Sequence, residues 1–191
     1  NIVLREAIEK ARELNMPKEN IERLLFRFEE RKNNLVGGIF EGYGPFGVPI
    51  LIEVETDNKN RILGEIKLIF RNYGGSLGES GSVAFMFERV GEIELESRLS
   101  EAEELKLIDE GVKDIRDTLI TTEVADYKKI GEKIKLMGGN IKRMGLVYKC
   151  LNPVNLESEE KAEKILEMIE ALEENDDVVN VFAGFDYVKK N

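Results

Sequence analysis

The sequence predicts an α+β protein: a helical N-terminal hairpin followed by two small α/β sandwich domains, one inserted in the other. Three observations predict it. Stretches with apolar residues at helical spacing alternate with short stretches of period two. Glycine pairs, Gly37-Gly38, Gly74-Gly75 and Gly138-Gly139, punctuate them. The order reads βαβ, then βαβαβ, then αβ, which lets the last helix and strand return to the first sheet.

Asn1 is not a methionine, and the chain opens inside a helical pattern of Ile2, Val3, Ala7, Ile8, Ala11 and Leu14, so it is expected to be part of something longer. Asn15-Met16-Pro17 breaks that helix. Pro17 suits the first turn of the next, whose stripe is Ile21, Leu24, Leu25 and Phe28. Residues 1–34 thus read as a hairpin that buries little alone, the C-terminal part of an N-terminal helical domain.

Strands are expected at 39–43 and 48–56, around the turn Gly44-Pro45-Phe46-Gly47. Asp57 or Asn58 caps a helix with Ile62, Leu63, Ile66, Ile69, Phe70 and Tyr73 inward and Lys67 and Arg71 outward, ended by Gly74-Gly75. One long or bent strand follows at 83–96. Next come a helix at 100–110, a strand at 117–123, a helix at 125–137 and a strand at 141–151. A helix at 158–174 turns Ala162, Ile165, Leu166, Ile169 and Leu172 inward, and a strand at 178–187 closes the chain. Residues 35–90 and 152–191 are expected to form one discontinuous α/β domain, and 91–151 the insert.

Composition excludes much. The chain has no His, no Trp and one cysteine, Cys150, so a Ser-His-Asp triad, a Cys-His pair, a His-based zinc site and an internal disulfide are all ruled out within it. Cys150 ends an alternating stretch and reads as a small buried hydrophobe. The longest apolar run, Val48 to Ile52, is far short of the ~20 residues that span a membrane. Glutamates cluster at helix starts, as at Glu101, Glu103 and Glu104, where the helix dipole favours them. No pair stands out as an acid–base dyad. No catalytic residue, metal or cofactor is expected.

The formal charge of −10 opposes broad coating of nucleic acid, yet the charge is uneven. Between residues 128 and 149 stand Lys128, Lys129, Lys133, Lys135, Lys142, Arg143 and Lys149 against Glu132 alone. This is either a solvated face or a phosphate-binding patch. Asp57-Asn58-Lys59-Asn60-Arg61 combines helix-capping groups with two bases, for phosphate contact or a surface ion-pair network. The loop Gly74, Gly75, Ser76, Leu77, Gly78, Glu79, Ser80, Gly81, Ser82 can offer backbone N–H groups and hydroxyls to a phosphate, or simply end a helix. Gly42-Tyr43-Gly44-Pro45-Phe46-Gly47 spells the dinucleotide fingerprint, but a strand follows it instead of a helix, so it reads as a turn.

These residues carry a resemblance. Met16-Pro17-Lys18-Glu19-Asn20-Ile21-Glu22-Arg23, Glu41-Gly42-Tyr43-Gly44-Pro45, Thr56 to Arg61, Gly74 to Phe87, Asn152-Pro153-Val154 and Asp176 to Asp186 together resemble the YebC/PmpR family. The family's Gly-His-Ser-Lys-Trp stretch is absent, and Ile62 stands where Thr is usual. The resemblance implies three domains and a non-enzymatic role in gene expression. Members are described as DNA-binding transcriptional regulators, or as ribosome-associated translation factors that relieve stalls at proline-rich stretches. Mitochondrial relatives are translational activators of cytochrome c oxidase subunit I.

The expected partners are therefore nucleic acid, DNA or ribosomal RNA, and the ribosome, with no membrane. The expected setting is the cytoplasm, or the mitochondrial matrix of a eukaryote. The expected contacts are Lys59, Asn60, Arg61, Lys67, Arg71 and the 128–149 bases through Arg143, beside the family-motif loops. Physics leans toward the ribosome, because no helix shows the basic face of a major-groove reader. Rival readings are a protein adaptor docking through the acidic 157–177 segment and a small-molecule-binding module.

Overall fold

The computed structural model describes residues 17–21, 23, 26 and 35–187. Of the expected N-terminal hairpin, only residues 17–21, 23 and 26 are described, helical from 18 onward, with Ile21 buried and Phe26 exposed. The rest of that hairpin lies outside the described residues.

Strand β1 (Val36–Tyr43) pairs antiparallel with β2 (Pro49–Thr56) in unbroken register, from Val36 opposite Thr56 to Tyr43 opposite Pro49. The tight turn between them places Phe46 and Gly47 at positive φ, and Gly44 N–H donates to the Val48 carbonyl at 2.8 Å. The fingerprint-like glycines are thus a hairpin turn. Helix α1 (Lys59–Asn72) follows, then a two-residue edge strand β3 (Ser76–Leu77).

A second sheet comes next: β4 (Phe87–Leu95), α2 (Glu101–Asp109), β5 (Asp114–Arg116), β6 (Leu119–Thr122), α3 (Tyr127–Leu136) and β7 (Ile141–Cys150). The short β8 (Val154–Asn155) leads to α4 (Glu159–Glu173), β9 (Val178–Ala183) and β10 (Phe185–Asp186).

The first sheet runs β3-β1-β2-β9 and the second β5-β6-β4-β7, every neighbour antiparallel, while β8 and β10 form a small parallel pair. The molecule is α+β, and the second sheet has the split βαββαβ arrangement. Each sheet buries one face under two helices. Ile50, Ile52 and Val54 pack under Ile62, Ile66 and Phe70 of α1 and Ile165, Met168 and Leu172 of α4. Ile93 and Ile120 pack under Leu107 of α2 and Ile130 and Ile134 of α3. A third cluster joins the two sheets, with Leu51, Val83 and Phe87 at its centre and Tyr43, Tyr148 and Phe182 around them. Tyr148 meets Phe182 edge-on, with centroids 5.4 Å apart.

Several expected elements are corrected. Residues 83–96 do not form one strand: Ala84–Met86 is a 3-10 turn, because the main chain must bend to cross between sheets. The 117–123 strand is the second arm of a hairpin that turns at Asp117, which has φ 60. The 178–187 strand is split at Gly184, where a Cβ would stand 2.4 Å from Cys150 Sγ. Cys150 itself is half-buried. Leu63 and Leu166, expected inward, are 41% and 54% exposed. Each lies at the margin of its stripe, and Met168 fills the α4 core instead.

Gly42 shows how tightly α1 seats on the first sheet. A Cβ there would stand 2.5 Å from Phe70 Cε1 and 2.7 Å from the Ser76 carbonyl, one a buried ring and the other main chain. Gly42→Ala is expected to cost about 1–3 kcal/mol of stability as overpacking, read from urea unfolding with an unchanged m-value.

Candidate nucleic-acid interface

The turn between β2 and α1 is held by a polar knot in which Thr56 and Asp177 are buried and Asp57, Asn58 and Arg61 are exposed. Asn58 is the N-cap of α1, its side chain accepting from Arg61 N–H at 3.1 Å. Thr56 Oγ1 donates to the Asp177 carboxylate at 2.7 Å, and Arg61 donates to the same oxygen at 2.5 Å and to Asp57 at 2.9 Å. The hydrogen bond to Asp177, ahead of the charges of Asp177, Asp57 and Glu65, holds the Arg61 guanidinium above its ordinary value despite some desolvation. Arg61 is thus engaged by the chain's own carboxylates. Its neighbours Lys59 and Asn60 are exposed.

Further along α1, Asn60, Gly64, Lys67 and Arg71 recur at helical spacing and form one outward stripe. Lys67 and Arg71 are exposed and have no ion-pair partner among the described residues. They border an open groove of about 480 Å³ between α1 and β3, where Leu68 and Phe70 supply apolar surface and Gly75 and Ser76 form the far wall.

The glycine loop behaves otherwise. Gly74 and Gly81 take positive φ, and the chain folds back over β1. There the Glu41 carboxylate, 5% exposed, accepts from Gly81 N–H at 2.7 Å, Val83 N–H at 2.9 Å and Ala84 N–H at 2.7 Å. Gly78 N–H donates to the Glu41 carbonyl, and Ser82 N–H to the Glu79 carbonyl. Burial pushes the Glu41 carboxyl up, and the three N–H donors outweigh it and hold the group below its ordinary value. The nest that a phosphate would use is filled by the protein's own anion. Glu79 and Ser80 stand at the exposed rim.

The bases of 128–149 are divided. Lys133 and Lys129 both bond Glu110, lowering its pKa to about 2, so that pair persists until the pH falls to about that value. Lys142 and Arg143 both bond Glu94 and hold its carboxyl below the ordinary range, and Lys149 lies 3.8 Å from Asp114. Met144 lies toward Gly131 of α3, so alternation along β7 sends Arg143 to the opposite face of the sheet. Lys128, 5.9 Å above the Tyr127 ring, and Lys135 are exposed and unpaired among the described residues. The structure therefore spreads these seven bases over two faces.

Glu41 is the functional-looking residue that charge and spacing did not single out. Its signal is an acid inside a strand of glycines and apolar residues, forty positions before Gly81 of the glycine loop.

The architecture defines a class: two helix-backed antiparallel sheets sharing a third core. A crystal structure of a conserved hypothetical protein, Aq1575, from Aquifex aeolicus has this fold, with a TM-score of 0.74 and 36% identity, covering 100% of this chain and 82% of that one. A family profile described as TACO1/YebC second and third domain matches residues 37–185. The chain is 41% identical over 192 positions to a probable transcriptional regulatory protein of Sulfurihydrogenibium sp. (strain YO3AOP1), covering 96% of this chain and 76% of that protein. A protein of the same description from Aquifex aeolicus is 37% identical over 191 residues, covering 96% and 77%. The chain belongs to the TACO1/YebC family. No helix among the described residues is long and apolar enough to cross a membrane.

Proposed function

We propose that this protein is a non-catalytic regulator of gene expression that acts by contacting nucleic acid, with a ribosomal particle as its partner. One observation carries the reading: α1 exposes Lys67 and Arg71, one turn apart and free of acid partners among the described residues, beside an open groove. Charge-assisted contact with phosphates is the chemistry such a pair performs. The relatives' description as transcriptional regulatory proteins supports the gene-expression part.

Two features favour a ribosomal particle over duplex DNA. The bases without an ion-pair partner among the described residues are scattered over all four helices, as at Lys67, Lys106, Lys128 and Lys164, and no one helix gathers enough of them to fill a major groove. The body is acidic, with a formal charge of −10, which suits a partner that presents both RNA and basic protein surface.

Co-sedimentation with ribosomes at ~0.1 M salt, where unpaired surface charges still act within ~10 Å, tests the reading. The protein is expected to travel with ribosomal particles, and Lys67→Glu/Arg71→Glu to remain at the top of the gradient. Lys133→Glu is expected to matter less, since Lys133 already serves Glu110. A shift of duplex DNA at lower protein concentration than ribosome binding would move the function to transcription.

A further inference from the structure

Glycine inside an exposed helix is destabilising, so each such glycine calls for a reason. Most described glycines of this chain have one. Gly47, Gly74, Gly81, Gly111 and Gly138 take positive φ. Gly75 and Gly42 sit where a Cβ would strike main chain or the Phe70 ring. Gly64, in the middle of α1, has neither reason: its φ is ordinary for a helix, and a Cβ there would meet nothing within 4 Å. Gly145 likewise has open space, and Gly37 and Gly38 would meet only ordinary contacts, but those three lie in strands, and Gly131, the other glycine described within an α-helix, would press on Met144.

Gly64 lies on the groove between α1 and β3, one turn before Lys67 and two before Arg71. No acid lines this groove. Ser76, across from the helix, is exposed on the edge strand, offering a hydroxyl to a sugar.

We propose that Gly64 is kept bare so that the sugar–phosphate backbone of an RNA strand can lie against α1, with its phosphates on Lys67 and Arg71 and its ribose toward Ser76. The proposal rests on the nucleic-acid reading and adds the strand's place and chemistry. A side chain at position 64 would narrow the groove along the helix where the strand is to lie. Lys67 and Arg71 are four residues apart on one helix face, which sets their side chains ~5–6 Å apart at the Cβ atoms and lets each serve a successive phosphate. Leu68, 47% exposed beside them, gives the sugar edge an apolar contact.

The test reads stability and binding together. Wild type, Gly64→Ala, Lys67→Glu/Arg71→Glu and a charge-matched control, Lys106→Glu/Lys164→Glu, are compared. Binding of a fluorescein-labelled uridine dodecamer is followed by anisotropy across a salt series, and Tm is measured for each protein. Gly64→Ala is expected to raise Tm by about 2–4 °C while weakening RNA binding about fivefold. A purely structural glycine would give the first effect without the second. Lys67→Glu/Arg71→Glu is expected to weaken binding more than tenfold and to lower the salt slope by about 1.4, two phosphates' worth on a single strand. The control should bind as wild type.

If wild type binds the RNA and Gly64→Ala binds it equally well, the groove assignment is wrong while the nucleic-acid reading stands. If wild type binds neither this RNA nor ribosomes, both fail. A DNA strand of the same length that binds as tightly, with the same loss in Gly64→Ala, would overturn the assignment to RNA. An oligo-aspartate peptide held in preference to RNA, and released by Lys67→Glu/Arg71→Glu, would make the groove a protein-docking site and overturn the proposal.

Discussion

Glu41→Ala is expected to lower stability by about 3–5 kcal/mol, the largest effect of any single substitution considered for this chain. Three backbone N–H groups, those of Gly81, Val83 and Ala84, point at one carboxylate. Val83 is fully buried, so its N–H cannot turn to water once the acceptor is gone. Two of these donors, Val83 and Ala84, begin the 3-10 turn that carries the chain into β4, and Val83 and Phe87 sit in the core between the two sheets. Loosening this loop therefore weakens the joint as well as the loop. Glu41→Gln keeps the shape but turns an amide N–H₂ toward N–H donors, and is expected to recover only part of the loss. Because the folded-state pKa is depressed, the carboxylate's contribution is present above its unfolded value, ~4.3, and is lost as the pH falls through the lower folded value. Urea unfolding of Glu41→Gln should accordingly show a smaller drop in stability between neutral and acid pH than wild type. A Glu41→Ala protein within ~1 kcal/mol of wild type would mean that the nest is not a structural element.

Asp177→Ala is expected to cost about 2–4 kcal/mol. Asp177 is 7% exposed and ties the lead-in to β9 to the β2–α1 turn, well over a hundred residues earlier in the chain. Its side chain accepts from Thr56 and Arg61, and its main-chain carbonyl accepts from Glu55 N–H at 2.9 Å. Thr56 is 1% exposed, so removal of the carboxylate leaves a buried hydroxyl without its acceptor and Arg61 with only Asp57. Arg61→Ala is expected to cost less, since the arginine is partly in water and Asp177 keeps Thr56. A double-mutant cycle between the two positions, read by chemical denaturation, should show coupling. The same variants separate structure from binding at the Asp57–Arg61 motif. Arg61→Ala should lose stability with little loss of ribosome association, whereas the reverse result would return Arg61 to the interface.

Much of the fold was legible because local chemistry decides it. The periodicities of Ile62, Ile66 and Phe70, and of Ile165 and Leu172, mark the faces that turn inward, and Asn58 caps α1 as its residue type predicts. The α+β class follows from the same alternation. Errors arose where the deciding partner is remote. The 114–122 hairpin was hidden because its turn, at Asp117, carries no glycine. The glycine loop looked like an anion site, and it is one, but its anion is Glu41 from the neighbouring strand. The 128–149 window is basic along the chain, whereas Glu110, Glu94 and Asp114, which meet its bases, come from other elements. Lys67 and Arg71 were visible as outward bases. That they stay unpaired beside a groove, with Gly64 in its lining, needs the neighbouring strand to be in place.

Amide hydrogen exchange of the protein with and without ribosomal particles tests the central claim most directly, because it reports which face is covered. Contact through α1 predicts slowed exchange in the peptides spanning residues 64–77, with little change across 157–173, where the acidic face of α4 lies. Protection confined to the α4 peptides, with 64–77 unchanged, would contradict it and make this an adaptor that docks through its acids.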